Sequence, residues 1–575
     1  MAAEEIVISD LTCCLPSESL TPGDKPRAGC WRVVHYETEE GVTGKMLFAA
    51  PEDKAGALRL TLPDAGVCRI FLGVNYTRAA LADRSHMREF SMYGSLEVML
   101  DTDGGFSRIA FEGPWRQDAS NKVGRESSVW HAIHECYWKT ARLSGRTLVF
   151  SPTMPPYNAE LWPSIANLAY VKLIPLNENE IAAWHTLTDN ASTRSGALHY
   201  CPGEFTGHTH GCPMYHPTDP QRMRDAIAPC LDSDIGLIAF EAIRGNLCLF
   251  KTQLGDVGTP DNSWPDDWID PLQTVVDVAH ENGIKLLVGM RMIGASLPVM
   301  RYPIHWARYY WRHREWAKRA PDGSACSNLS IAFSEVRDYW ISLLREALDR
   351  PGADGVHLLL DRCYPFVLYE EPSIRTFTDK YGEDPRGLDE NDPRWVQHQC
   401  DMGTQFLREV KALVDEKPGR VLAVHFISAT YGSWEAKQPE RFGCDVESWL
   451  REGLVDILMP TPCGNCEHDD GPETFFAGWK AIDPDVMIYP DMFPRTQMGD
   501  YYARLARKLY AAGADGYILR DGERRLPRAS EWAVFRHLGH REMLDYLERE
   551  APGYFRTVPI MRLNGMMVKY SYNDG

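Results

Sequence analysis

Two textures of apolar and polar positions divide the chain. From residue 1 to about 185, short alternating runs such as 56–63 (GALRLTLP), 68–76 (CRIFLGVNY), 95–100 (SLEVML), 146–152 (RTLVFSP) and 166–175 (ANLAYVKLIP) are separated by Gly, Pro, Asp and Asn. Period-two alternation at this spacing predicts β-strands throughout and an N-terminal β-sandwich or jelly roll. From about 195 the pattern becomes strand, loop, helix, repeated. Apolar runs at 196–202, 234–240, 284–290, 354–360, 420–427, 455–459, 486–489 and 515–519 make eight. Between them lie segments of 3.6 periodicity, such as 271–282 and 334–349, the first stopped by Gly283. Eight such units over some 350 residues fit an α/β (β/α)8 TIM barrel. A doubly wound open sheet is disfavoured, because no Gly-rich phosphate loop follows any of these strands. The expected domains are therefore a sandwich over 1–185, a barrel over 186–550, and a β-like tail over 551–575 that packs on one or the other.

Polar residues concentrate where these strands end, which is where barrel active sites form. Strand 1 is followed by Glu204, His208 and His210; strand 2 ends in Glu241; strand 3 ends in Arg291; strand 4 ends in Asp361 and Arg362. His425 lies on strand 5, Tyr489 and Asp491 at the end of strand 7, and Asp521 after strand 8. Asp361 directly follows Leu358-Leu359-Leu360, so its carboxylate leaves a wholly apolar strand into the barrel mouth. The bland alternative is an ion pair with Arg362 or a cap on the next helix. Glycoside hydrolysis needs two carboxyl groups flanking the scissile bond. Asp361 and Asp491 are the expected catalytic pair, with Glu241 in reserve and the loop acids Glu467, Asp469 and Asp470 behind it.

The insertion after strand 3 is rich in rings, with Tyr302, His305, Trp306, Tyr309, Tyr310, Trp311 and Trp316. Trp306 is a candidate sugar platform, since sugars stack their C–H faces on aromatic rings. The spacing of Trp306, Tyr309 and Tyr310 also fits the packed face of one helix. Glu204, His208, His210, Arg291, Arg362, His425, Tyr489 and Asp521 complete the expected substrate-binding set. A second reading, a metal-dependent amidohydrolase-like barrel using His208, His210, His425 and Asp521, is weakened by three features. The pair His208 and His210 lies in a loop, strand 6 ends without a histidine, and strand 4 offers no bridging lysine. A non-catalytic glycan-binding protein is the third. The run His131-Ala-Ile-His134-Glu135 has the wrong order for a zincin helix and sits among strands. Cys463-Gly-Asn-Cys466 has no second pair of thiols to complete a zinc site. No metal and no cofactor are expected.

Composition narrows the partners. Lys plus Arg total 61 against 80 Asp plus Glu, a net charge of -19, which disfavours nucleic acid or an anionic membrane as main partner. Fifteen cysteines, an odd number scattered through apolar segments, read as reduced core thiols. The N-terminus lacks a basic region and an apolar run, so a cytoplasmic location is expected, unless a leader has been trimmed away.

Residues 265–545 resemble the family-10-like glycosyl hydrolases. The stretches that carry the resemblance are 268–285 with AHENGIK, 329–348 (LSIAFSEVRDYWISLLREAL), 353–372 (ADGVHLLLDRCYPFVLYEEP), 380–395 (KYGEDPRGLDENDPRW) and 511–544. The resemblance implies a barrel and a glycosidase-like protein with a carbohydrate substrate. Two departures stand out. Asp361-Arg362-Cys363-Tyr364-Pro365 replaces a pattern of Asn or an apolar residue with two arginines and two prolines, and Arg520-Asp521-Gly522 replaces Trp-Asp-Thr. An aspartate closing strand 4 also resembles the nucleophile position of retaining α-galactosidase-type barrels.

Overall fold

The computed structural model describes residues 4–23, 25–50, 53–75, 96–109, 132–152, 166–201, 219–257, 261–292, 308–361, 365–430, 439–463, 472–493, 497–522 and 525–568. Eight parallel strands form the barrel: β1 (Gly196–Tyr200), β2 (Ile235–Arg244), β3 (Lys285–Arg291), β4 (Gly355–Leu359), β5 (Val421–Thr430), β6 (Ile457–Cys463), β7 (Met487–Ile488) and β8 (Tyr517–Leu519). Their order in the sheet is β7-β6-β5-β4-β3-β2-β1-β8. A single bridge, Asp491 to Ile518, joins the two ends. Around it Met492 N donates to Ile518 O at 3.0 Å and Ile518 N donates to Pro490 O at 3.0 Å. β7 is short because Pro490 has no N–H to extend the ladder.

Helices pack outside, and their caps explain where they begin. Asp270 accepts from Gln273 N ahead of the helix Pro271–Glu281, which starts on proline. Val275, Val276 and Ala279 of that helix are buried against the barrel. Inside, a slim core of Ala197, Leu237, Ala239, Leu287, Ala423, Ile457, Met459 and Ile518 fills the barrel. Alanines at three of these positions leave the interior little apolar volume. Above that core most inward positions carry polar side chains, His199, Glu241, Arg291, His425, Thr461 and Arg520 among them, and these build the site described below.

The N-terminal part is a pair of sheets sharing one core. The larger runs Ile6–Ile8, Tyr170–Pro175, Val67–Asn75, Ala132–Arg142, Phe555–Leu563, Trp31–Thr38, Thr43–Ala49, Ala166–Leu168, antiparallel throughout this path. The smaller runs Leu58–Thr61, Thr147–Pro152, Leu96–Leu100, Ser107–Ile109. Trp31, Leu47 and Leu72 of one meet Leu60, Val98 and Phe150 of the other. Phe555–Leu563, from the end of the chain, lies between two strands of the larger sheet. This ties residues 555–563 to the first part of the fold.

Not all of the stretch read as β is strand. Glu178–Thr188 is a helix, because Asn177 and Glu180 form a reciprocal capping box: Glu180 N donates to Asn177 Oδ1 at 3.0 Å and Asn177 N donates to Glu180 Oε2 at 2.9 Å. His134 and Glu135 lie on the strand Ala132–Arg142. Glu135 accepts from Lys172 at 2.5 Å, Tyr170 at 2.7 Å and Arg556 at 2.8 Å, so it serves the sheet rather than a metal. His131 lies outside the described residues. No helix among the described residues is long and apolar enough to cross a membrane.

Candidate active site

Three groups of buried polar side chains occupy the upper barrel. The first centres on Glu241. Arg244 Nε donates to its Oε1 at 2.7 Å, and Arg291 Nη2 lies 2.7 Å from its Oε2. His199 Nε2 is 3.2 Å from the same oxygen. Burial pushes the Glu241 carboxyl up, but the Arg244 and Arg291 charges and the His199 contact outweigh it and hold the group well below the usual carboxylate range. Asp521 completes the group, with Oδ1 3.8 Å from Arg291 Nη2, while its backbone N donates to His199 Nδ1 at 3.3 Å. That N–H makes Nδ1 the acceptor and leaves the ring proton on Nε2, facing Glu241. Asp521 has a φ of 50°, a left-handed backbone uncommon for a non-glycine residue and one that the surrounding contacts must hold in place.

The second group joins opposite sides of the mouth. The Arg520 guanidinium, from just after β8, reaches across to the Asp361 carboxylate at the end of β4. Both side chains are almost fully buried. Arg520 N also donates to Asp491 Oδ1 at 3.3 Å, and Thr461 Oγ1 donates to Asp491 Oδ2 at 2.9 Å. Arg525 Nη2 lies 4.0 Å from Asp491 and donates to Met492 O at 2.7 Å. Arg520 thus sits between the two expected catalytic carboxylates, one bound by its side chain and one by its backbone.

Beneath these lies a row of imidazoles. The His199 and His357 rings are 5.6 Å apart, and the His357 and His425 rings 5.7 Å. Burial, then the neighbouring His199 and His425, push His357 well below the usual imidazole range, so it is neutral. Burial likewise lowers His199 in spite of its contact with Glu241. Gly289 pairs with His357 in the sheet, and a Cβ there would come within 2.7 Å of Phe240 O. Among the described residues no group of three or more His, Cys, Asp or Glu has a metal-binding arrangement.

The structure therefore brings together Glu241, Arg291 and Asp521 in one cluster, and Asp361 and Asp491 about Arg520. His425 lies below them in the imidazole row. Tyr489 does not join them: it packs with the lower barrel core, against the Gly516 position, where a Cβ would come within 2.8 Å of its ring. Burial raises its hydroxyl. Glu204, His208, His210, Trp306 and Arg362 lie outside the described residues, as do Tyr302, His305, Glu467, Asp469, Asp470 and Cys466. Of the remaining rings in the insertion after β3, Tyr309 stacks on Tyr339 at 3.6 Å, Tyr310 donates to Cys326 O at 2.8 Å, and Trp316 stacks on His313. These rings pack against the protein. His199, His357, Thr461 and Arg525 carry no role in the sequence reading, and Arg520 enters it only as the residue standing where the family pattern has tryptophan. Strand parity would have found three of them, since His199 and Thr461 stand two residues beyond the inward Ala197 and Met459, and His357 stands four residues before Asp361.

The family described as Glycosyl hydrolase-like 10 matches residues 219–461, from ahead of β2 into β6. The chain is 22% identical over 214 residues to Glycosyl hydrolase DigH of Escherichia coli strain K12, and equally to that of Shigella flexneri. The match covers 33% of this chain and 45% of each relative, so the chain spans less than half the length of the curated relatives it matches. Among solved structures, the catalytic domain of β-amylase from Paenibacillus polymyxa overlaps 62% of this chain and 99% of its own, at 12% identity and TM-score 0.41. The PgaB (BpsB) glycoside hydrolase domain from Bordetella bronchiseptica overlaps 61% and 98%, at 11% identity and TM-score 0.40. The parallel eight-stranded barrel rests on its own strand order and register, and residues 219–461 of it are similar to the family described as Glycosyl hydrolase-like 10.

Proposed function

We propose that this chain is a glycoside hydrolase that cleaves an oligo- or polysaccharide at the barrel mouth, with Asp361 and Asp491 as its carboxyl pair. The observation that carries the reading is the shared arginine. Two carboxylates from different strands, both buried, are bracketed by Arg520 in a site whose other walls are polar. Arg520 sets a fixed cation against Asp361, a setting that suits a nucleophile or a base. Asp491 accepts from Thr461 and from the backbone, so it is oriented by groups that do not need to move.

The remaining roles follow from the pairings. Glu241 is held ionised by two arginines and so is unsuited to donate a proton. Its part is to fix Arg291 and His199. Arg291 and Asp521 then offer a cation and a carboxylate to substrate hydroxyls or an anionic substituent. Glu204, His208, His210, Trp306 and Arg362 are the loop residues assigned to sugar binding on sequence grounds.

The test is the release of reducing ends from a panel of neutral, N-acetylated and uronic polysaccharides. Wild type should release them from at least one member, and an Asp361→Asn, Arg520→Gln double variant should not. Binding without release would favour a glycan-binding protein. Release that EDTA abolishes and zinc restores would favour the metal-dependent barrel.

A further inference from the structure

The chain leaves β8 through a strained turn. The ladder between β1 and β8 ends at the pair Leu198 and Leu519, and two residues on Asp521 has a φ of 50°. The other non-glycine positions with positive φ among the described residues are Lys54, Asn262 and Asn564, and of these four Asp521 is the one that is buried. A left-handed backbone is unfavourable for a residue with a Cβ and persists only where its surroundings hold it. Gly522 follows so close to β1 that a Cβ on it would run into the Leu198 side chain. The turn is therefore pressed against β1, and something on β1 must meet it.

That group is His199, one residue past the last ladder pair on β1. Asp521 N donates to its Nδ1 at 3.3 Å. A buried backbone N–H beyond the end of a ladder has lost its strand carbonyl and needs another acceptor, and a neutral imidazole supplies one. Burial keeps His199 below the ordinary imidazole range in spite of Glu241. On the far side of the ring Nε2 lies 3.2 Å from Glu241 Oε2, so the ring proton faces the carboxylate and the lone pair faces the turn. The other tautomer would set one N–H against another.

The two side chains differ in what they can reach. That of His199 is 1% exposed and meets no substrate, whereas those of Asp521 and Arg291 are 9% and 10% exposed. Asp521 Oδ1 lies 3.8 Å from Arg291 Nη2, so the open part of the turn is a carboxylate beside a guanidinium. We propose that His199 is a positioning residue: its Nδ1 holds Asp521 in the left-handed turn and thereby sets the carboxylate that takes a sugar hydroxyl. The hydroxyl contact rests on the glycosidase reading, and the holding of the turn does not. A His199 that only packed, or only supported Glu241 through Nε2, would leave a different signature.

The experiment compares two variants of the full chain on the polysaccharide panel. His199→Asn puts an oxygen about where Nδ1 stands, and His199→Gln puts an amide nitrogen about where Nε2 stands. His199→Gln should raise KM about tenfold with kcat little changed, the equivalent of one hydrogen bond, while His199→Asn stays near the wild type. Asp521→Asn should raise KM at least as far, and adding His199→Gln to it should raise KM no further. Equal losses in the two histidine variants, or the reverse order, would overturn the proposal. Two readouts need no substrate. In ¹⁵N-histidine NMR of the wild type, the ring whose signals vanish in both variants should carry its proton on Nε2, and a proton on Nδ1 would overturn the proposal. In thermal melts, His199→Gln should lower Tm by about 1–2 °C more with Asp521 present than in Asp521→Gly, because glycine takes the turn unaided. An equal fall in both backgrounds would count against the holding role. A wild type that cleaves nothing in the panel would remove the glycosidase reading and leave these two readouts to decide what His199 does.

Discussion

Glu241→Gln is the sharpest probe of how the upper barrel is held. The amide keeps the shape of the carboxylate and removes its charge, leaving Arg291 and Arg244 facing a neutral group at the 2.7 Å where each now meets an anion. Two unit charges at about 4 Å attract with roughly 4 kcal/mol at an effective dielectric of 20, so two pairs set an upper bound near 8 kcal/mol. Relief of the carboxylate's own desolvation offsets part of this, and breaking a buried pair from one side costs about 3–5 kcal/mol in practice. With an unfolding entropy of about 2.1 cal/mol/K per residue, that is a fall in Tm of about 3–7 °C, depending on whether the barrel or the whole chain melts as a unit. Urea unfolding of the two proteins at matched pH is the assay. The sign of the pH dependence follows from a folded-state carboxyl held below its unfolded value. Its contribution is fully present above the ordinary glutamate range and is lost as pH falls through that range toward the folded value. The gap between wild type and Glu241→Gln should therefore be constant from pH 8 to about pH 5 and shrink below it. A cost under about 1 kcal/mol at pH 7, the level of an exposed pair, would refute the view that this carboxylate organises the cluster. So would a gap that widens on acidification.

Other predictions address separate parts of the molecule. Asp361→Asn alone should cost about 3–5 kcal/mol by stranding Arg520, and adding Arg520→Gln should recover most of that in thermal melts. His540 loses charge stability through burial but regains more from its 2.8 Å contact with Asp234, so its imidazole is raised. That stabilisation is complete below the ordinary histidine value and fades as pH rises through the folded one, and His540→Gln should abolish this part of the decline in Tm above pH 6.5. Gly105→Ala forces a methyl group to 2.6 Å from Asp225 Oδ1 and should destabilise by about 1–3 kcal/mol. EDTA should leave turnover unchanged, as measured by reducing-end release before and after dialysis.

What was legible in the sequence was what depends on local pattern. Leu358-Leu359-Leu360 and its counterparts are buried on both faces, so each strand of the barrel appears as an apolar run. The helix Glu178–Thr188 escaped because the preceding alternation masked its start, although Asn177 and Glu180 spell a capping box. Within the site, Glu241, Arg291 and Asp361 could be picked as strand ends. Their partners could not, since whether Asp361 meets Arg362 or an arginine from β8 depends on closure of the barrel. Tyr489 shows the limit from the other side. Its position at the end of β7 reads as the mouth, yet its ring packs with the apolar core below. The inward imidazoles were passed over because His199 and His357 are embedded in apolar runs, where a single polar residue reads as noise unless strand parity is followed.

The most direct test of the central claim is product analysis of Asp361→Gly with sodium azide, on whichever polysaccharide the wild type cleaves. Loss of the carboxylate should slow turnover by about 10²–10⁴-fold. Azide entering the space left should restore at least a tenth of that loss and appear in the product as a glycosyl azide. Turnover by Asp361→Gly within about tenfold of wild type, a barrier change of only ~1.4 kcal/mol, would contradict the account and leave Asp361 as no more than the anchor of Arg520.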